Sequence, residues 1–450
     1  MDAHLIDSAI FGHQWSTAES RALFAESARV ARWLDVIIAL AEAQADVGII
    51  PASSAAAIAR LRGVELDLAA VAEGTRTTSH STLGLIQVLQ QLLPAEAAEH
   101  VYYGTTVQDI SDTAQVLELA EVGGLVWRDL WAIEADLLAL AGRHRETPML
   151  GRTHGQPGAP ITFGFKAATW ADEIGRSLER LRQGRGRWLV GELGGAVGVL
   201  GFFGPQALPL RAAYCDRLGL AEPAVSWLTT RDRLAEFAQV MASAVSAMGR
   251  IANEVYVLAR AELAEVREPT PSTTVGSISM PHKRNPEVSE QVVTLARMVR
   301  SSAGVLGETL IGEHERDGRS WKTEWVVLPE LAHYTLAAAG MTRSLVRGLE
   351  VDPARMLANL EATGTASSER LLSVMSARLG KHTAQATLQD AYRSAIGSGR
   401  SLTAVLEGQI EPAELAELDR FDTGAAAEMA DEVVARAVRR RAGERATWRS

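Results

Sequence analysis

Long stretches of this chain carry apolar residues at intervals of three and four, the spacing of one face of an α-helix. The clearest stretch runs from Thr229 to Val266 and contains one glycine and no proline. Its apolar positions are Leu234, Phe237, Met241, Val245, Met248, Ile251, Val255 and Leu258. At about 1.5 Å per residue, a continuous helix over this stretch would be roughly 55–60 Å long, which suits an elongated bundle.

The same periodicity returns in other long segments, whereas alternation typical of strands is almost absent. These segments are Asp112–His144, Pro160–Arg185, Pro286–Leu306 and Thr323–Leu349. The pattern predicts an all-α, three-domain, elongated subunit. We expect an N-terminal helical domain over residues 1–104, a central bundle of five long helices over 105–349, and a C-terminal helical domain over 350–450. We expect the charged tail, residues 435–450, to be a solvated helix end.

Composition narrows the possible partners and location of the protein. Of the 450 residues, 47% are hydrophobic and 22% charged, which is typical of a soluble globular protein. The net charge of −10 disfavours nucleic acid and anionic membranes as partners. No basic region leads into an apolar run at the N-terminus, so we expect no signal peptide and a cytoplasmic location.

Several features argue against a metal or cofactor site. The single cysteine, Cys215, excludes an internal disulfide and a cysteine-based zinc cluster. Residues 194–198 are glycine-rich, but they lack the Lys-Ser/Thr ending of a phosphate-binding loop, and no strand precedes them. The acidic run at 313–317 has no second histidine at a metal-ligand spacing. We therefore expect neither a metal nor a cofactor.

Four polar segments interrupt the helical pattern: residues 74–80, 103–109, 151–160 and 275–286. Each lies at or just before the start of a predicted long helix or between two of them, and the unpaired N–H groups at helix N-termini favour anions. Their hydroxyl, amide and ammonium groups are suitable carboxylate ligands. The candidate substrate-binding residues are Thr105, Thr106, Gln108, Thr153, Lys283 and Asn285. For Thr105 and Thr106 taken alone, simple helix capping is the competing interpretation.

The fourth segment is the most specific motif in the chain. Residues 276–286 read Gly-Ser-Ile-Ser-Met-Pro-His-Lys-Arg-Asn-Pro. This sequence resembles the signature of the fumarase/aspartase superfamily, and the resemblance extends over nearly the whole chain. Residues 11–51, 230–237, 313–325 and 349–356 resemble the 3-carboxy-cis,cis-muconate cycloisomerase branch. Residues 78–80 and 151–164 instead resemble adenylosuccinate lyase.

The resemblance implies roles for individual residues. Ser277 corresponds to the catalytic base, and His154 to the acid that protonates the leaving group. His80 would support that acid or bind the distal end of the substrate. A serine hydroxyl is a weak base, so its alkoxide needs a nearby cation such as Lys283 and a dry, closed loop. Gly276 suits a mobile lid. Of the two serines in the motif, Ser277 is the predicted base, and Ser279 is expected to have only a structural role.

One residue departs from the family pattern. The second polar segment usually carries a serine that helps to hold a substrate carboxylate, and this chain has Val107 in its place. The carboxylate would then be held differently, or the substrate would present a less polar group there.

The resemblance also implies the reaction. Members cleave a C–N or C–O bond β to a carboxylate and release fumarate, and they build each site from three subunits of a homotetramer. Because no phosphate-specific cluster stands out, a small dicarboxylate is preferred to a nucleotide. The candidate reaction is conversion of nitrosuccinate to fumarate and nitrite. The alternative is 3-carboxy-cis,cis-muconate cycloisomerase activity. A non-catalytic member is disfavoured because the acid–base residues are present.

Overall fold

The chain is represented by a computed structural model that describes residues 4–270, 275, 277–280, 282–364, 366–419, 421–444 and 448, without the side chain of Asp419. Gly276, on which the expectation of a lid rests, lies outside these residues. Within the described ranges, no helix is long and apolar enough to cross a lipid bilayer.

Helices dominate the regular structure, which confirms the all-α prediction. They are α1 (Gly12–Trp15), α2 (Ala18–Phe24), α3 (Glu26–Asp46), α4 (Ala52–Ala59), α5 (Leu68–Thr78), α6 (Leu83–Leu92), α7 (Ala95–Ala98), α8 (Val107–Arg143), α9 (Phe163–Trp188), α10 (Ala207–Arg217), α11 (Asp232–Leu258), α12 (Glu287–Glu308), α13 (Gly318–Arg347), α14 (Pro353–Ala362), α15 (Ser368–Leu379), α16 (Lys381–Ser398), α17 (Leu402–Leu406), α18 (Pro412–Leu415) and α19 (Ala426–Gly443). Short 3-10 helices span Gly201–Gln206 and Ala416–Asp419. The strands are β1 (Pro148–Thr153), β2 (Gln156–Thr162), β3 (Val266–Arg267) and β4 (Glu350–Val351).

The long helices α8, α9, α11, α12 and α13 form the predicted central bundle, and their inward side chains share one hydrophobic core. All eight apolar positions that defined the periodicity of α11 are at most 1% exposed. Helix α11 is shorter than predicted, with 27 residues, or about 40 Å at 1.5 Å per residue. The chain leaves the helix through a turn in which Ala264 is left-handed (φ 51°), and it then enters β3.

The expectation of almost no strands is wrong for residues 148–162, which form an antiparallel hairpin. Met149 pairs with Ile161 and Thr153 with Gln156, and the register shifts between Leu150 and Arg152. Glycine and proline occupy much of both strands, so alternation of apolar and polar residues is too weak to be recognised. A second pair, β3 with β4, is also antiparallel.

Two smaller cores flank the bundle. Residues of α3, α4 and α6 pack with α10 and the segment at 193–203 to form one of them. Helices α15, α16 and α17 form the other.

The last helix returns to the bundle instead of pointing into solvent. Arg440 and Arg441 of α19 both pair with Glu134 of α8, whose side chain is 1% exposed. The indole of Trp448 is buried and donates to the Leu181 carbonyl at 3.2 Å. The expectation of a solvated tail is therefore wrong for Arg440, Arg441 and Trp448. The two arginines pair with a buried carboxylate, and the indole is buried.

Candidate active site

The start of α8 is fixed by a buried carboxylate. Asp109 accepts N–H groups from Thr106 at 2.9 Å, from Gly194 at 2.7 Å and from Gly195 at 3.1 Å. Burial raises the pKa of Asp109 to about 7, while these donors act in the opposite direction. Arg316 donates to the carbonyls of Gly195 and Ala196 at 3.2 and 3.0 Å. The glycine-rich turn therefore acts as a bridge between α8 and the segment that precedes α13.

The predicted substrate ligands on this segment differ in accessibility. Thr105 and Thr106 are half-buried, and the Thr105 hydroxyl donates to the Tyr102 carbonyl at 3.2 Å. Gln108 is fully buried within the chain, and its Nε2 donates to Asp112 at 3.0 Å and to the Leu228 carbonyl at 2.8 Å. The Oε1 of Gln108 is also buried, with no hydrogen-bond partner among the described residues.

One buried ion cluster beneath this segment was missed by the sequence reasoning. Arg231 is fully buried and lies between two carboxylates. It donates to both oxygens of Asp112 at 2.7 and 3.1 Å, and its Nε donates to Glu324 at 2.8 Å. Trp321 donates its indole N–H to Asp112 at 3.0 Å. The available signal was charged residues at inward positions of α8 and α13, but the sequence does not show which of them meet.

His154 lies at the tip of the β1–β2 hairpin. With Thr153 paired to Gln156, only His154 and Gly155 form the turn, and both are left-handed, at φ 53° and 73°. This is the geometry of a type I′ turn, which favours Asn-Gly or Gly-Gly. Thr153 and His154 are both exposed. The turn therefore presents the imidazole at the end of a short, defined hairpin.

A buried ion pair attaches this hairpin to the rest of the chain. Arg152 donates to both oxygens of Glu265 at 3.0 and 2.7 Å, and the Glu265 side chain is fully buried. Asn359 of α14 donates to the same carboxylate at 2.8 Å. These contacts fix the strand immediately before the tip, so the position of His154 follows from a bidentate pair that sequence reasoning did not identify.

The segment at 74–80 differs from its prediction. Most of it forms the last turns of α5, and Ser79 ends the helix in the left-handed conformation (φ 55°). His80 follows in an exposed position. Most of the segment therefore lies at the C-terminal end of α5, and only its last residues lie between α5 and the start of α6 at Leu83.

The signature segment is largely exposed. The Ser277 hydroxyl accepts the N–H of Met280 at 3.1 Å, and the N–H of Lys283 donates to the Met280 carbonyl at 2.9 Å. Ser277 and Asn285 are half-buried, whereas Ser279 and Lys283 are exposed and Ile278 is 97% exposed. Two successive hydrogen bonds, from Met280 to Ser277 and from Lys283 to Met280, therefore connect the predicted base and the predicted cation along the segment.

The N-terminus of α12, which follows this segment, already has an anion. The carboxylate of Glu268 accepts the N–H groups of Val288 and Ser289 at 3.1 and 2.7 Å. These first-turn amides are therefore occupied, contrary to the expectation that they bind substrate. A substrate carboxylate at this segment would depend mainly on side chains, of which Lys283 carries the positive charge.

The described contacts do not join the predicted site residues into one cluster. Thr105, Thr106 and Gln108 share the start of α8, and Ser277, Lys283 and Asn285 share the signature segment. Among the residues that the structure describes, no hydrogen bond or ion pair directly links His80, His154 and Ser277. In the same ranges, no group of three His, Cys, Asp or Glu side chains is placed to hold a metal ion.

Comparison with known proteins places this chain in a family. A family model described as Lyase matches residues 13–301. The chain is 37% identical to the N-acetyl-S-(2-succino)cysteine lyase of Dickeya dadantii, covering 96% of this chain and 98% of that protein. It is also 37% identical to the nitrosuccinate lyase of Streptomyces davaonensis, covering 91% and 89%. The crystal structure of the 3-carboxy-cis,cis-muconate lactonizing enzyme from Pseudomonas putida superposes with a TM-score of 0.88 at 33% identity, covering 96% and 99%.

Proposed function

Because this chain belongs to the fumarase/aspartase superfamily of lyases, we propose that it eliminates a leaving group from a small succinyl compound and releases fumarate. A nitrogen leaving group, as in nitrosuccinate, is the first candidate. The observation that carries the proposal is the signature segment, in which successive hydrogen bonds through Met280 connect Ser277 with Lys283.

The chemistry follows from the charges in this segment. Ser277, as its alkoxide, takes a proton from the carbon next to one carboxylate of the substrate. The electron pair of that C–H bond forms the C=C bond of fumarate, and the bond to the heteroatom breaks with its pair going to the leaving group. Negative charge grows on the substrate carboxylate during proton removal, so the Lys283 ammonium group stabilises the transition state more than the substrate. His154 supplies a proton when the leaving group needs one.

We also propose that the complete site forms in a homotetramer. His80, His154 and Ser277 lie on different elements, and the described contacts within one chain do not bring them together. Large apolar side chains elsewhere in the chain remain exposed, including Val199 at 73%, Ile311 at 81% and Val326 at 61%. Association of copies would cover such residues and supply the missing site members.

A sulfur leaving group is a second candidate. It is favoured by the match to N-acetyl-S-(2-succino)cysteine lyase, which extends over 96% of this chain at 37% identity. The cycloisomerase alternative differs because it needs no release of fumarate. Because the chain resembles the 3-carboxy-cis,cis-muconate lactonizing enzyme, the experiment below also tests the cycloisomerase activity.

The decisive experiment is a panel of three compounds: nitrosuccinate, N-acetyl-S-(2-succino)cysteine and 3-carboxy-cis,cis-muconate. Chromatography would quantify fumarate and the remaining substrate. We expect fumarate from at least one succinyl compound and none from the same compound with Ser277→Ala. Consumption of carboxymuconate, with no fumarate from either succinyl compound, would favour the cycloisomerase. Light scattering of the active sample would test the tetramer, and full activity in a monomer would contradict it.

A further inference from the structure

A cavity of about 420 Å³ lies between α3, α5, α8 and α13. Trp33 of α3 forms part of one wall, and Trp325 with Pro329 of α13 forms another. Ser81, which also lines the cavity, directly follows His80, and Ser111 lies one helical turn beyond Gln108 on α8. The cavity therefore adjoins two of the segments that carry predicted site residues.

Arg29 is the unusual residue of this lining. It is half-buried, and among the described residues its guanidinium makes no hydrogen bond or ion pair. The buried carboxylate of Glu118 is instead bound by Arg32 at 3.1 Å, although the charge of Arg29 helps to lower the pKa of Glu118 against the effect of burial. Arginine carries five N–H donors in a fixed plane. Those of Arg29 therefore line a cavity with no protein acceptor in the described part of the chain.

We propose that this cavity holds the leaving-group portion of the substrate and that Arg29 binds a carboxylate carried by that portion. The inference rests on the proposed elimination and, of its two candidate leaving groups, favours the second, because N-acetylcysteine carries its own carboxylate and nitrite does not. The planar guanidinium matches a planar carboxylate with two parallel hydrogen bonds. The apolar walls at Trp33 and Trp325 suit the methylene group between that carboxylate and the bond that breaks, and the acyl group that branches beside it.

The charges of the lining favour a carboxylate over a phosphate. Arg29 and Arg76 face three acidic residues, Glu26, Glu118 and Glu324, and Arg76 already pairs with Glu73 outside the cavity. Among the described lining residues, Arg29 alone offers a guanidinium without a hydrogen-bond partner, and one such cation among several carboxylates suits a group with one negative charge. A phosphate with close to two charges would meet greater repulsion and would need further cations.

A matched pair of substrates tests the role of Arg29. N-Acetyl-S-(2-succino)cysteine carries the carboxylate, and the S-succinyl adduct of N-acetylcysteamine lacks only that group. With Arg29→Met, we expect kcat/KM to fall about 10- to 100-fold for the first substrate, as for loss of hydrogen bonds to a charged group. We expect less than a threefold change for the second. Arg62→Met is the charge-matched control, because Arg62 is an exposed arginine outside the cavity.

Equal loss on both substrates, or a change of oligomeric state in size-exclusion chromatography, would assign Arg29 a purely structural role and overturn the proposal. Calorimetry with free N-acetylcysteine under reducing conditions tests the cavity even if no succinyl compound yields fumarate. Binding by the wild type that Arg29→Met weakens, while N-acetylcysteamine binds both proteins alike, would support the cavity without the elimination. Failure of the wild type to bind N-acetylcysteine, or tighter binding of inorganic phosphate, would contradict the assignment.

Discussion

The buried ion cluster beneath α8 and the exposed signature segment both hold charged residues, but their surroundings differ completely. Arg231, Asp112 and Glu324 have side chains at most 1% exposed, and each has a partner within hydrogen-bond distance. Ser277 and Lys283 stand on a turn whose described hydrogen bonds are few and local. We therefore expect substitutions in the buried cluster to change stability, and substitutions in the exposed segment, which carries the proposed catalytic residues, to change activity with little effect on stability.

The largest expected effect is on turnover. Ser277→Ala removes the proposed base, so the rate should fall by at least the 10²–10⁴-fold typical of general acid–base catalysis. The melting temperature and oligomeric state should not change, because one half-buried hydroxyl is lost from an exposed turn. Steady-state fumarate assays and thermal unfolding measure the two quantities. Ser279→Ala is the matched control and should be much milder; equal losses would mean that the base is misassigned.

The second effect is on folding. Arg231→Leu leaves Asp112 and Glu324 buried without their cation, which should lower the free energy of unfolding by about 3–5 kcal/mol. Urea unfolding at neutral pH would measure it. Arg187→Leu is the control, because Arg187 pairs with Glu236 on the surface, where such pairs contribute about 1 kcal/mol or less. A similar change in both variants would remove the distinction between the two regions.

A third prediction concerns the acid and depends on the leaving group. We choose His154→Asn because asparagine tolerates the left-handed conformation at this turn better than alanine does. An amine must be protonated to leave, so its elimination should slow about 10²–10⁴-fold. A thiolate, whose parent thiol has a pKa of about 8.5, should show a smaller loss, and nitrite the smallest. Rates measured for each active substrate would contradict the acid role if nitrite elimination suffered most.

The smallest effect is a pH dependence of stability. Burial lowers the pKa of His333, which contacts the Ser20 hydroxyl at 2.8 Å, to about 4 from its ordinary 6.5. Between pH 6.5 and 4, the unfolded chain therefore binds a proton that the folded chain does not, and stability falls as the pH falls. The contribution is about 2–3 kcal/mol. Urea midpoints at pH 7 and 4.5 should differ less for His333→Gln than for the wild type; an unchanged difference would exclude this histidine as the cause.

The sequence predicted the helices better than the site. The periodicity at Leu234, Met241 and Met248 identified a buried face because helical spacing is a local property. The hairpin was missed because its strands are rich in glycine and proline. Arg231 meets Asp112 across 119 positions, a pairing that no local pattern contains. The signature motif pointed to Ser277. The Glu268 carboxylate at α12, and the Arg29 guanidinium with no hydrogen-bond partner in the described part of the chain, became visible only in three dimensions.

The turn at His154 has a further consequence for how this enzyme changes over evolutionary time. The backbone at φ 53° favours asparagine or glycine over histidine, so His154 occupies the turn at some conformational cost. Random mutation would tend to replace it with a residue that stabilises the hairpin and removes the proposed acid. A lineage that no longer needs proton delivery should therefore lose this histidine early while it keeps its fold. If His154 is the acid, as proposed, the residue at this turn would then separate descendants whose leaving group needs a proton from those whose leaving group does not.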